Sequence, residues 1–217
     1  MTTELPLFPL NTVLFPGMPL RLHIFEERYK AMIAHCRATG SPFGVVLIQR
    51  GQEVGGPAEP HPVGCTAVIA QIETLDDGRM NIMAIGHDRF HIRALKYDQP
   101  YLVGEVEAYP LALSSPEQPP SRSDALRAWV RRYLRILSQA SETSFDLQQL
   151  PGDPVKLAYL ASYLLQVPPP QKQDLLALEQ AEDLVARLVS LYRREVTLIQ
   201  AMLVPHEEEP VGPFSMN

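Results

Sequence analysis

The chain has 217 residues, 46% of them apolar and 20% charged, enough to bury a core as one large domain or two small ones and too apolar for an unfolded polymer. Its formal net charge of −6 argues against a dedicated nucleic-acid binder, whose electrostatic footprint is a basic domain. No run of about 18 uninterrupted apolar residues occurs and the first residues lack the basic and apolar regions of a signal peptide, so no membrane span and a cytoplasmic location are expected.

Residues 5–33 read LPLFPLNTVLFPGMPLRLHIFEERYKAMI, two short apolar runs interrupted by Pro6, Pro9, Pro16 and Pro19. Proline lacks a backbone donor and is confined to edges, bulges and strand starts, so the stretch predicts two interrupted strands feeding a helix, with Pro16-Gly17 as the turn between them. Glu26 and Glu27 suit the start of that helix. Tyr29, Met32, Ile33 and Cys36 recur at helical spacing, and Gly40 is a natural stop. Residues 43–48, FGVVLI, form a continuous apolar run of strand length, predicted to be covered on both faces. Residues 50–62, rich in glycine and proline, read as a surface loop.

Two β-rich runs, CTAVIAQIETL and MNIMAIGHDRFHIRALKY, flank Asp76-Asp77-Gly78-Arg79 and give the clearest hairpin signal in the chain. Residues 101–109 alternate Leu102, Gly104, Val106 and Ala108 with Val103, Glu105, Glu107 and Tyr109, a strand with one face on the core. Strands with one clear helix among them predict a closed or nearly closed barrel. The segment SSPEQPPS at 114–121 has linker composition. Beyond it the period changes from 2 to 3.6. Ser123 can cap a helix with the apolar face Leu126, Trp129, Val130, Tyr133 and Leu137. Asp153-Pro154 starts a second helix carrying Leu157, Leu160, Ala161 and Leu164, which should end before the prolines at 168–170. A short helix at 172–178 and a long one at 181–203 follow, the latter burying Leu184, Leu188, Leu191, Tyr192, Ile199 and Met202. The expected organisation is a β-rich unit over 1–113, a linker over 114–121, a helical bundle over 122–204 and a flexible tail over 205–217. Cys36 and Cys65 read as buried free thiols, since two cysteines make no metal or disulfide framework.

The LPLFPL run, the FPG turn and the helix opening FEERY resemble the start of the Lon protease N-terminal (substrate-binding) domain family. Further matches are Gly64-Cys65 opening a strand, Asp77-Gly78-Arg79 at a turn, and Gly86 followed by Arg89-Phe90. Glu27, often proline in the family, and Cys65, often threonine, are departures. In the second half the likeness, at the Lys-Gln-Asp-Leu-Leu turn and the acidic start of the last helix, is one of pattern more than of letters. The resemblance implies an α+β protein: an N-terminal PUA-like β-barrel or pseudobarrel with one or more short helices, followed by a C-terminal α-helical bundle. It also implies a stand-alone form, because these residues hold no ATPase or peptidase domain.

No GxxxxGK[ST] loop, GxGxxG fingerprint or GxSxG elbow occurs in the sequence, so neither proteolytic nor ATPase activity is expected and no cofactor is implied. His87 and His91 look like a metal pair. In a strand, however, four residues separate their Cα atoms by roughly 13 Å, too far for one zinc with ligand bonds of about 2 Å. His23 and His35 are isolated, and no metal is expected. Arg127, Arg131 and Arg135 make a cationic stripe with Arg132 to one side. A solvated face is the favoured reading of the stripe in an acidic chain; an anionic partner such as RNA is the alternative. Arg28 and Arg89, both inside family-like motifs, read as structural anchors or as cleft residues chosen for bidentate geometry.

The family resemblance implies a non-catalytic module that binds exposed apolar segments of unfolded or tagged polypeptides, with a separate ATP-dependent protease as a further partner. Such binding needs an exposed apolar groove or an unpaired strand edge. The candidate contacts are Phe15, Met18 and Phe25 near the proline-interrupted edge, and Tyr101, Trp129 and Tyr133 where barrel and bundle meet. The alternative, RNA binding through the barrel and the arginine stripe, predicts salt-sensitive affinity. An enzyme acting in the interdomain cleft would need a nucleophile, base and electrostatic stabiliser that do not converge in this sequence.

Overall fold

A computed structural model describes residues 2–56, 58–113, 122–141 and 150–203. In chain order the elements are β1 (Thr3–Leu10), β2 (Pro19–Ile24), α1 (Glu27–Thr39), β3 (Phe43–Gly51), β4 (Ala58–Pro60), β5 (Val63–Thr74), β6 (Met80–Lys96) and β7 (Leu102–Ala108), then α2 (Ser123–Ser141), α3 (Pro154–Leu164), α4 (Pro169–Ala177) and α5 (Ala181–Leu203). Among the described residues this is a mixed α/β fold, with a mainly antiparallel sheet and five helices.

The strand order β1-β7-β6-β5-β3 returns to β1, because β1 pairs antiparallel with β7 through Thr3–Leu7 and parallel with β3 through Leu7–Leu10. The prolines of β1 fit this change of partner, Pro6 lying opposite Val103 and Pro9 opposite Val46. Inside the ring, Leu5, Leu7, Val46, Phe90 and Val106 form one cluster. A second cluster unites Tyr29, Met32, Ile33 and Cys36 of α1 with Phe8, Phe43, Cys65 and Ile82 of the strands, as the helical spacing predicts. Gly40 ends α1 in the left-handed conformation, φ 67°, which a residue without Cβ adopts at no steric cost.

The hairpin at 76–79 joins β5 to β6, and the first half of β6 also pairs with β2. β7 alternates only in part: Gly104 and Val106 are buried as expected, but Val103 on the other face is buried as well and Ala108 is exposed. Residues 50–62 are more ordered than a plain loop: β3 runs to Gly51 and β4 pairs back on it, Arg50 opposite Glu59. The glycines and prolines that suggested an open loop are concentrated at 55–57 and 60–62, leaving only three residues for a strand.

The four remaining helices share one core with the sheet, since Val13, Phe15, Leu47 and Val63 belong to the same cluster as Leu126, Val130, Leu157, Leu184 and Tyr192. Asp153 caps α3 by accepting from the backbone N–H of Lys156 at 2.8 Å, with Pro154 at the first position. Three sequence expectations change. Ser123 is the first helical residue rather than the residue before it. Pro169 and Pro170 open α4 rather than only closing the preceding helix, because a missing N–H is harmless in a first turn. Met202 is 85% exposed, not buried, the last turn of α5 having run past its packing partners. The expected linker at 114–121 and the tail at 205–217 lie outside the described residues.

Candidate functional site

β2 pairs with β6 alone, Pro19 opposite Ile85 through Ile24 opposite Met80. In an antiparallel pair every other residue turns its N–H and C=O away from the partner, so the far edge of β2 carries backbone groups without a strand neighbour among the described residues. Beside β2 lies a groove of about 260 Å³ in which the mainly apolar walls of Phe8, Leu10, Leu22, Phe25, Tyr29 and Val54 are accompanied by the polar Arg21, His23, Glu26 and Glu53. Phe25 is 47% and Val54 53% exposed, an arrangement that soluble proteins otherwise avoid for large apolar side chains placed together. Phe8 and Tyr29 stack beneath, with ring centroids 3.9 Å apart.

The wall carrying Val54 is fastened by Arg28. Its Nη1 donates to the carbonyl of Gly56 at 3.2 Å, its Nη2 to that of Glu53 at 3.3 Å, and its Nε to Glu26 Oε2 at 3.1 Å. Glu26 Oε2 also accepts from the Gly55 N–H at 3.2 Å, and Glu53 Oε2 from the Asn11 N–H at 2.9 Å. The guanidinium lies 4.5 Å from the centre of the Tyr29 ring. Arg28 thus ties residues 53–56, which carry Val54, to the start of α1. The β2–β6–β5 strands also border a wider concavity of about 890 Å³, which shares Arg21, Leu22 and His23 with the groove and is further lined by Gln71, Glu73, Asn81 and the apolar Ile72, Ile82 and Met83. There the polar groups satisfy one another: His23 Nδ1 meets Asn81 Oδ1 at 2.8 Å, and Asn81 donates to Glu73 at 3.1 Å.

The structure separates the six aromatic and methionine candidates. Phe25 lines the groove. Met18 is half-buried between the two larger core clusters. Tyr101 lies in a neighbouring cleft with Pro9, Arg28 and Tyr29, not at the junction of sheet and helices. Trp129 is half-buried on α2, with Arg132 and Arg193 at 5.4 and 5.8 Å from its ring. Phe15 and Tyr133 offer no binding surface and their candidacy is withdrawn. Phe15 is fully buried, and Tyr133 is buried edge-on to Tyr192, its hydroxyl accepting from the Gln166 N–H at 3.2 Å.

Along the arginine stripe, Arg127 donates to the carbonyls of Pro151 and Gly152 at 2.7 and 3.3 Å, while Arg131 and Arg135 are exposed. The stripe is therefore partly a fastening for the segment before α3. His87 pairs with Asp88 at 2.7 Å, and His91 lies against the Tyr109 ring. Arg89 is buried between β6 and the end of α4, where Nη1 donates to the carbonyls of Leu176 and Leu178, each at 2.6 Å. Phe8, Leu10, Leu22 and Val54 were not foreseen as lining residues. Val54 could have been noticed as the one large aliphatic side chain in an otherwise small and polar stretch.

Residues 4–194 match the family model of the ATP-dependent protease La (LON) substrate-binding domain, and the chain belongs to that family. It is 31% identical to the Lon protease of Methylocella silvestris over 82% of this chain and 22% of that protein. With the Lon protease of Phenylobacterium zucineum it shares 29% identity over 94% of this chain and 26% of that one. The chain thus spans about a quarter of the length of these relatives. The solved Lon N-terminal domain protein from Xanthomonas campestris superposes with a TM-score of 0.66 at 27% identity, covering 87% of this chain and 98% of its own. The N-terminal domain of a Mycobacterium avium complex Lon protease has the same fold, with a TM-score of 0.65 at 20% identity over 88% of this chain and 98% of its own.

Proposed function

We propose that the chain is a non-catalytic recognition module that binds exposed apolar segments of unfolded or tagged polypeptides in extended form along β2, as an adaptor to a separate ATP-dependent protease in the cytoplasm. The observation that carries the reading is an unpaired strand edge bordered by an apolar groove. Main-chain hydrogen bonds to the edge give affinity that does not depend on client sequence, and pockets such as that between Phe25 and Val54 favour apolar side chains at alternate positions. Membership of a substrate-binding family supports the same class of partner. Within this reading the ring of strands over 1–113 is the PUA-like barrel, and α2 to α5 within 122–204 are the helical bundle it abuts. No observation favours RNA as the partner, since Arg127 is already engaged by backbone carbonyls. No helix among the described residues is long and apolar enough to cross a membrane.

Hydrogen exchange with and without a reduced, carboxymethylated polypeptide tests the location. Slower exchange of the β2 amides and of residues 53–56 on adding polypeptide is the expected result. Protection confined to α2 or α5 would move the site to the helices and remove the basis of the proposal.

A further inference from the structure

Arg89 reaches from β6 toward the C-terminal end of α4 and is 3% exposed. The two carbonyls held by Nη1 belong to a helix terminus, where the partial negative charge of the helix favours a cation. The guanidinium also lies 4.9 Å from the centre of the Tyr109 ring. These contacts use one nitrogen and one face. Nε and Nη2 are buried with no hydrogen-bond partner among the described residues. Together they form the side-on edge of the guanidinium, two parallel N–H donors whose spacing matches the two oxygens of a carboxylate. A buried charged edge left open is costly to a fold and calls for an explanation.

Arg89 also lines a cleft of about 440 Å³ between the sheet and α3, with apolar walls that include Pro16, Val106, Leu111 and Val155. Its size and its place at the junction of two structural units are those of a small-ligand site. Asp88 and Glu107 stand in the same cleft, the first paired with His87 and the second with Arg93. Their negative charges oppose a multiply charged anion such as phosphate more than a monoanion.

We propose that the free edge of Arg89 is a receptor for the carboxylate of an apolar ligand seated in this cleft. The ligand is either the C-terminal carboxylate of a polypeptide or a small monocarboxylic acid. Both donors are closed off from solvent in this structure, so binding requires a side chain of the cleft wall, such as Tyr159, to shift. This site is separate from the groove beside β2, and it stands or falls independently of that groove.

The test follows the Arg89 Nε–H resonance of the full chain by NMR, assigned by its loss in Arg89→Lys. The probes are an N-acetylated tripeptide ending in leucine with a free carboxylate, the same peptide as its C-terminal amide, hexanoate, and inorganic phosphate. The free acid should shift the resonance saturably, and the amide should bind at least about tenfold more weakly, as expected for loss of a charge-assisted bidentate pair. Binding of the peptide acid alone identifies polypeptide ends as the source, and binding of hexanoate as well identifies small acids. Equal binding of acid and amide, a phosphate response as strong as the peptide's, or no response to millimolar ligand overturns the proposal. Arg89→Lys, which keeps a charge but lacks the edge, should lose the preference for acid over amide. If that variant does not fold, calorimetric titration of the unaltered protein with the acid and with the amide still gives the answer.

Discussion

A Cβ on Gly86 would lie 2.3 Å from the carbonyl oxygen of Phe15, closer than any real contact allows. The same residue accepts from the Gly17 N–H at 2.8 Å and donates to the Met18 carbonyl at 2.9 Å, so the turn before β2 is pressed directly onto β6. Gly86→Ala should therefore destabilise the fold by roughly 1–3 kcal/mol, read as a lower denaturant midpoint with an unchanged slope. The buried thiols give a second prediction. Burial pushes Cys36 up to about 11 and Cys65 up to about 12 from the ordinary 9.0. Below about pH 9 both states hold these protons and the contribution to stability is complete. Between there and about pH 12 the unfolded chain releases protons that the folded chain keeps, so stability falls as pH rises. Thermal melts across this window should show the decline, and Cys65→Ala should make it shallower. At this scale Gly86 and Arg28 were legible because each stands in a recognisable motif. Phe15 and Tyr133 were not: an aromatic side chain at strand or helix spacing looks the same in sequence whether its face is covered or open.

The strands and helices were largely legible from periodicity, and the exceptions have physical causes. β4 is three residues long and hidden among glycines and prolines, too short for any period to show. The edge status of β2 could be suspected from Pro19, but its solitary pairing with β6 depends on a partner more than fifty residues away. The apolar groove beside it depends further on the segment that Arg28 fastens. Arg28→Ala removes the bonds to Gly56, Glu53 and Glu26 together. Because hydrogen bonds from a charged group contribute about 1.5–3 kcal/mol, residues 53–56 should exchange their amide hydrogens at least about tenfold faster, with the β6 and α5 amides unaffected. Unchanged exchange at 53–56 would mean that the segment is held by its own backbone turns.

For the whole molecule, a succession of strands followed by a succession of helices was readable in the sequence, but not the extent to which they share a core. Whether they would hinge was open at that level, since contacts across a linker leave no local pattern. The structure joins them through buried Phe15, Leu47 and Val63, through the Gln173 amide donating to the Val63 carbonyl at 3.0 Å, and through the Tyr109 hydroxyl donating to the Ala177 carbonyl at 3.1 Å. Such a seam predicts one cooperative unfolding transition. Trp129, the only tryptophan, reports on the helices, and far-ultraviolet circular dichroism reports on sheet and helices together. The two denaturation curves should coincide, and a separate early tryptophan transition would show that the units unfold independently.

The most direct test of the proposed recognition site is a titration of the protein, and of a Phe25→Asp, Val54→Asp double variant, with a fluorescent unfolded polypeptide at low and high salt. Charges placed on both sides of the groove should weaken binding at least about tenfold, a loss of about 1.4 kcal/mol, while the melting temperature stays near that of the parent because both side chains are about half exposed. Binding to the parent should be saturable and survive high salt. Equal affinity of the double variant, or parental binding that disappears as salt is raised, would contradict a groove that works by apolar burial and strand pairing.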